Sequence, residues 1–563
     1  MDMFGIWFLM GAALVFFMQA GFAMVETGFT RAKNTGNIIM KNLMDFCLGT
    51  IAFAFLGYGL MMSDNYFLGV IGIPDLDIFF DYANFEWSSF VFNVVFCATT
   101  ATIVSGAMAE RTKFSAYLIY SLILSLIVYP IEAGWVWNPE GWLYQLGFID
   151  FAGSAVIHTV GGISSLVGIK FLGARIGKYV KDPDTGKIIS KAIPGHNLTI
   201  GALGCFILWF GWYGFNGAAA TSLEGIGGLG SIFLTTTIAP AAASLSTMAY
   251  TWIKNGKPDV SMTLNGSLAG LVAVTAGCAT LDAFGALMVG LVAGILVVVS
   301  VEFIDLKLRL DDPVGAVSVH GINGIWGTLA VGLFAVEGGL FYGGGTDLLL
   351  IQTIGIGSII LYTAIVMIIF FALIDRLHGL RVSVEEETVG LDLSEHALDS
   401  SYAGFAMTSM DIMPAMTLNS ELEIDQLENQ PVTLSDAIPI INNASVDTKI
   451  TKVTVVTNQA KFYQLKMALE SIGITGMTVI QVLGFGIQKG QPEYYRGNPV
   501  TATLLPKVKI EIVICKIPTN VVVDTIIQTL YTGHIGDGKI FISDVENVYR
   551  ISTNEQGYDA LQD

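Results

Sequence analysis

His158-Thr-Val-Gly-Gly-Ile163 and His320-Gly-Ile-Asn-Gly-Ile325 each place a histidine inside a long apolar stretch, with a glycine four residues on and an isoleucine five residues on. An ionisable side chain in an apolar span is costly enough to mark function, and it needs a partner. Here each histidine supplies the other's partner. The repeated spacing also indicates an internal duplication, an organisation common in transporters, whose sites lie between the repeats.

Composition agrees. Of 563 residues 53% are hydrophobic and 13% charged, and the mean hydropathy is +0.63, too apolar for a soluble chain of this length. Runs near the roughly 18–20 residues that cross a bilayer recur at 4–28, 38–62, 88–109, 114–134, 150–173, 197–217, 227–253, 262–280, 282–304, 314–335 and 351–374. Eleven spans are therefore expected. Met1-Asp-Met-Phe lacks the positive start of a signal peptide, so the first span is expected to stay.

Basic residues fall in alternate loops: Arg31, Lys33 and Lys41; Arg111 and Lys113; Arg175, Lys178, Lys181 and Lys187; Lys254 and Lys257; Lys307 and Arg309; Arg376 and Arg381. The loop after span 2 is acidic, with Asp64, Asp75, Asp77, Asp81 and Glu86. Retention of Lys and Arg on the cytoplasmic side puts the N-terminus outside and the C-terminus inside, as an odd span count requires. His158 falls on span 5 and His320 on span 10. A five-span unit inverts its copy, so a 5+5 inverted repeat would bring the two histidines together at mid-membrane.

Cys47, Cys97, Cys205, Cys278 and Cys515 form no metal-like spacing, and the four in apolar spans read as small buried hydrophobes. No metal site is expected. The charge of −19, spread over loops and tail, argues against nucleic acid.

Asp150-Phe-Ala-Gly-Ser-Ala-Val-Ile-His158-Thr-Val-Gly-Gly resembles the signature of the Amt/Mep/Rh ammonium transporters. So do Phe92-Asn-Val-Val-Phe96, Ser105-Gly-Ala-Met-Ala-Glu-Arg111, Asn265-Gly-Ser-Leu-Ala-Gly-Leu-Val-Ala-Val-Thr-Ala-Gly-Cys278, Asp312-Pro-Val-Gly-Ala-Val-Ser-Val-His320 and Gly390-Leu-Asp-Leu-Ser-Glu-His396. The resemblance implies a homotrimer in the cytoplasmic (inner) membrane, with a narrow apolar pore in each protomer.

It also assigns residues. His158 and His320 would form a hydrogen-bonded pair in the pore. Trp137 and Phe96 match an aromatic cage that holds a cation by cation–π attraction. Phe92 belongs to the same aromatic set, and Phe215, in Gly211-Trp-Tyr-Gly-Phe-Asn216, matches a second gating ring. Asp150 matches a carboxylate that orients backbone near the mouth. Where the family often carries a recruiting serine, this chain has Ala219, so a hydrogen-bond acceptor is missing. The chemistry suits the residues. A cation stripped of water crosses an apolar lumen at great cost. Neutral ammonia does so easily, and imidazoles can carry the proton left behind.

Taken singly, each residue has a plainer reading. Either histidine alone would be a helix-packing residue, the phenylalanines core or lipid-facing rings, and Asp150 a helix N-cap. Glu26 and Asp45 are read as structural.

The membrane domain is read as residues 1–404, and 405–447 as a linker. The remainder, 448–563, alternates: strand-like Lys449–Thr457, helical Gln459–Ile472, strand-like Met477–Gly484 and Lys507–Lys516, helical Thr519–Tyr531 and a last strand Lys539–Val545. That βαββαβ order predicts a ferredoxin-like α/β sandwich. Over about 449–558, Ile474-Thr-Gly-Met-Thr-Val479, Gly484-Phe-Gly-Ile-Gln-Lys-Gly490, Glu493-Tyr-Tyr-Arg-Gly497, Leu505-Pro-Lys-Val-Lys-Ile-Glu511 and Thr532-Gly-His-Ile-Gly-Asp-Gly-Lys-Ile-Phe541 resemble the PII signalling proteins. These are trimers that bind adenine nucleotides, and one subclass inserts a T-loop into ammonium-transporter pores.

The resemblance implies nucleotide contacts at Thr478, Gly484, Gly486, Gln488, Gly536, Asp537, Gly538, Lys539 and Arg550, in a domain on the cytoplasmic side. The T-loop would be about 486–504, with Val500 at the family's modifiable tyrosine. Ile487, His534 and Ser552 stand at positions expected to be cationic. Less positive charge penalises the most anionic ligand most, so ADP or AMP is expected to bind better than ATP. Asn458 replaces a basic residue, which argues against Mg2+/2-oxoglutarate sensing.

Three functions fit: an ammonium transporter with a tethered nucleotide-sensing gate, an ammonium sensor (transceptor) with little net flux, and a constitutive transporter whose PII domain serves assembly. No nucleophile–base set points to an enzyme.

Overall fold

The computed structural model describes residues 3–398 apart from 82, 84, 183, 184 and 221, and residues 449–561 apart from 459, 460, 486–492, 496, 497, 501–503 and 532–536. The expected linker 405–447 lies outside the described residues. The chain forms two compact units.

Among the described residues of the first unit ten helices are long and apolar enough to cross a membrane: α1 (Gly5–Phe29), α2 (Ala32–Met61), α3 (Trp87–Ala107), α4 (Phe114–Leu146), α5 (Ser154–Leu172), α6 (Leu198–Gly217), α7 (Leu229–Asn255), α9 (Ala283–Leu308), α10 (Val317–Phe334) and α11 (Asp347–Leu377). The expected eighth span is α8 (Val260–Thr275), only 16 residues long. At 1.5 Å per residue it reaches about 24 Å, short of the ~30 Å apolar thickness. A turn through Gly277–Leu281 carries the chain on from its end.

Loop contacts show that α8 still counts as a crossing. Arg175, after α5, bonds Asp311, after α9, through Nε at 2.8 Å and Nη2 at 2.9 Å. The two loops therefore share one end of the bundle, and an even number of crossings must separate them. Helices α6 to α9 supply four. Arg31, after α1, pairs with Glu110, after α3, and Glu110 also takes Arg175 Nη1 at 2.7 Å. Arg31 and Arg175 are thus buried in one ion-pair network with Glu110 and Asp311, all four nearly inaccessible.

The tail returns to the same end. A capping box of Ser383 and Glu386 starts a short helix, α12 (Val384–Val389), followed by α13 (Leu391–His396). Glu387 accepts from the Ile176 N–H and from Arg381, each at 2.7 Å. Asp392 accepts the Gly36 and Asn37 N–H groups at 3.0 and 2.8 Å, where free helical donors favour an anion.

Cys97, Cys205 and Cys278 are buried as expected, but Cys47 is exposed on α2. It lies among the exposed apolar residues Leu43 and Ile51, four before and four after it. An outward stripe on a membrane helix is as apolar as the core, so hydropathy could not separate the two.

The second unit holds β1 (Thr451–Asn458), α14 (Phe462–Ser471), β2 (Thr478–Phe485), β3 (Leu504–Ile514), α15 (Thr519–Leu530) and β4 (Lys539–Asp544). The sheet order β4-β1-β3-β2, antiparallel throughout, is the ferredoxin-like arrangement expected. Val453, Val455, Ile510 and Ile512 alternate into one face and bury Leu465 and Leu469 of α14 with Val522 and Ile526 of α15.

Candidate functional site

Both histidines sit on π-helical turns, Ser154–Thr159 and Val317–Ile322, at the starts of α5 and α10. The His158 N–H reaches back five residues to the Gly153 carbonyl at 3.0 Å. Such widened turns are rare and recur at functional sites. Each is anchored by a carboxylate eight residues before its histidine. Asp150 Oδ1 accepts the Gly153 and Ser154 N–H groups at 2.9 Å, and Oδ2 accepts Ala155 and Val156 at 2.8 and 2.9 Å. Asp312 accepts Gly315 at 2.9 Å and Val317 at 2.8 Å. Gly153 (φ 110°) and Gly315 (φ 82°) each stand three residues after the carboxylate, in left-handed backbone that favours glycine. Asp150 is expected from the sequence as an N-cap, and its copy at Asp312 is not. The shared spacing Asp-x-x-Gly-x-x-x-x-His could have revealed it.

α10 starts at the end of the bundle that holds Asp311, and α5 ends there, before Arg175. The two repeats therefore run in opposite directions, as the inverted duplication requires. They cross where the signature glycines allow. A Cβ on Gly162 would lie 2.1 Å from the Gly321 nitrogen, and one on Gly324 would lie 2.4 Å from the Ser154 carbonyl oxygen.

That crossing places His158 Nδ1 and His320 Nδ1 3.2 Å apart, with the rings nearly parallel at 23°. Both side chains are buried. Phe215 stacks 5.6 Å from His158. Phe96 lies 4.3 Å from Phe215, 6.0 Å from Trp137 and 4.4 Å from Phe92. The Trp137 indole N–H donates to the Asp150 carbonyl at 2.8 Å. Seven of the predicted residues, Asp150 included, thus form one connected column. Ala219 lies in the turn just past α6, half-buried, with no polar side-chain atom to offer.

Two neighbours escaped the sequence reading. Trp212 stacks on His158 at 5.2 Å and 18°, and its indole N–H donates to the Thr275 hydroxyl at 2.8 Å. It stands three residues before Phe215 on α6, a spacing that puts both rings on one helix face. Phe22 approaches His320 at 6.1 Å.

In the second unit Thr478 lies opposite Glu511 and Gly484 opposite Leu505 in the β2–β3 register. Lys539 opens β4 opposite Val456. The Asp537 carbonyl accepts the Thr457 hydroxyl at 2.8 Å. Gly538 (φ 127°) must be glycine, since a Cβ would meet the Val456 carbonyl oxygen at 2.4 Å. Arg550 donates to Glu555 at 2.6 Å and to the Ala560 carbonyl at 3.1 Å. Gly486, Gln488 and Gly536 lie outside the described residues, as do most of 486–504. Among the described residues no cluster of His, Cys, Asp or Glu suits a metal ion.

Residues 6–401 match the Ammonium Transporter Family. The chain belongs to that family. Residues 450–555 match the nitrogen regulatory protein P-II family, so this family member carries a fused P-II regulatory domain. Among curated relatives, ammonium transporter Amt2 of Archaeoglobus fulgidus is 42% identical over 436 residues, covering 73% of this chain and 90% of the relative. Ammonium transporter 3 of Dictyostelium discoideum is 36% identical over 406 residues, covering 69% and 92%. Among solved structures, a protein named Sensor Amt Protein superposes with a TM-score of 0.65 at 36% identity, covering 70% of this chain and 98% of that one. Candida albicans Mep2 gives 0.60 at 25%, covering 68% and 87%. Like its relatives, this is a multi-pass membrane protein of a transporter family and no enzyme.

Proposed function

We propose that this chain carries ammonium across the cytoplasmic membrane by binding the cation, removing a proton and conducting ammonia through an apolar pore. The observation that carries the reading is the 3.2 Å approach of the two histidine Nδ1 atoms beneath stacked aromatic rings. Trp137 and Phe96 attract the cation through their ring faces, and Phe215 excludes its water. Ammonia passes the ring and takes hydrogen bonds from the imidazoles, which also offer a route for the proton. Potassium has no proton to lose and pays the full desolvation cost.

In this reading three protomers assemble with the N-terminus outside and the P-II domain in the cytoplasm. That domain binds ADP or AMP more tightly than ATP and sets transport in cis. The test is ammonium-elicited current in proteoliposomes, comparing the full chain with one ending at residue 405, each with ADP, ATP or neither. A nucleotide effect confined to the full chain supports the tethered gate, and equal currents in every condition refute it. A second reading, an ammonium sensor with little net flux, is favoured by the likeness to a structure named Sensor Amt Protein. It predicts ammonium-dependent P-II ligand affinity without current or flux.

A further inference from the structure

His320 also lines a cavity, which contains none of Phe92, Phe96 or Phe215 and is walled by apolar groups such as Phe22, Leu268 and Val314. Gly106 and Val314 place it toward the end of the bundle where the ion-pair network lies, away from Trp137. Besides His320, its polar lining is Glu26 and Asn265.

Both are presented as acceptors. Glu26 Oε2 is held by the Ser105 hydroxyl at 2.8 Å and the Asn42 amide at 3.2 Å, which fixes the carboxyl at the cavity wall. Asn265 commits its amide N–H to the Val314 carbonyl at 3.2 Å. Its Oδ1 is buried with no hydrogen-bond partner, and a buried acceptor in that state is costly and rare. A donor such as ammonium would satisfy it. Behind Glu26 the Lys41 ammonium is buried without a hydrogen bond, 5.0 Å over the Tyr117 ring. Packing alone would not require a carboxyl here, since a glutamine fills the same space without a buried charge.

We infer that Glu26 and Asn265 form a second ammonium site on the His320 side of the pore, where ammonia leaving the histidines becomes ammonium again. The inference rests on the transport reading above and replaces the purely structural role that the sequence implied for Glu26. In its protonated form the Glu26 carboxyl gives that proton to ammonia. The O–H bond breaks, an N–H bond forms, and ammonium is left against the carboxylate with Asn265 Oδ1 accepting a second N–H. A hydronium ion from the adjoining water returns a proton to Glu26 as the cation leaves. The titratable groups around Glu26 are Lys41 and Asp45 of α2, Tyr117 and Tyr120 of α4 and His320 of α10. Ser105 of α3 adds a hydroxyl, and α6 and α8 add the uncharged Leu208 and Asn265.

The test is ammonium flux in proteoliposomes of the full chain, with the pH on the His320 side varied from 5 to 8. Glu26→Gln is expected to lower flux at least tenfold and to flatten its pH dependence, while Glu26→Asp keeps the slope. Asn265→Leu is expected to lower flux several-fold with the slope intact. Wild-type flux and slope in Glu26→Gln would overturn the site. If that variant fails to fold, unchanged flux in Asn265→Leu overturns it instead. A wild-type chain without any flux removes the transport reading itself, and this site with it.

Discussion

The two imidazoles of His158 and His320 face each other through the same atom, Nδ1 to Nδ1 at 3.2 Å. Only one of the two nitrogens can carry the hydrogen of that bond. The donor is then a δ tautomer, the acceptor an ε tautomer, and a proton moving along the pair exchanges their roles. Selective 15N labelling of histidine should show one protonated and one bare Nδ1 in the pair at pH 7. Two equivalent ε tautomers would contradict it.

Removing the proton carrier while keeping a polar side chain separates binding from conduction. His158→Asn should fold, keep ammonium at the mouth and lose flux by about 10²-fold, the usual scale for a positioned proton-transfer group. Binding and flux measured on one preparation check this.

Asp150 ties the cage to the histidine helix, since its side chain accepts four N–H groups and its carbonyl holds Trp137. In Asp150→Asn one oxygen becomes an NH2, and two buried donors lose their acceptor. A cost of about 3 kcal/mol follows. The variant should melt at clearly lower temperature in detergent and also lose ammonium flux.

Ala219→Ser restores an acceptor beside the proposed cage. A net gain of about 1 kcal/mol, or roughly fivefold in half-saturation for ammonium, is expected. The maximal rate should stay, because in the proposed function this position serves recruitment and not conduction.

The buried loop network gives the protein an acid limit. Burial pushes the Glu110 carboxyl up, but Arg31 and Arg175 outweigh it and hold it at about 2, against an ordinary 4.5. Burial likewise opposes ionisation of Asp311, and Arg175 holds its carboxyl well below the usual range. A depressed carboxyl stabilises the fold above its unfolded value and loses that effect as pH falls through the folded one. Melting temperature should therefore drop between pH 4.5 and 2. Glu110, worth about 3 kcal/mol by this linkage, accounts for part of the slope, and Glu110→Gln should flatten it.

Hydropathy made most spans legible because a bilayer demands long apolar runs. The paired His-x-x-x-Gly-Ile segments made the duplication legible because both halves cross at the same glycines. What escaped depended on folding partners. Arg175 and Asp311 are 136 residues apart, so loop charges could be read only for orientation. Trp212 was one of many apolar rings until α6 turned it onto His158. α8 was legible as an apolar run, but its 16 residues count as a crossing only through the Arg175–Asp311 contact between the loops after α5 and α9. Glu26 looked structural because nothing in the sequence reveals a cavity.

The most direct test is ammonium flux into proteoliposomes of the full chain, measured beside His158→Leu/His320→Leu with potassium as the competing cation. Wild-type flux insensitive to potassium, abolished in a folded double variant, is the predicted result. Equal flux in both proteins would contradict the histidine pair as the conducting element.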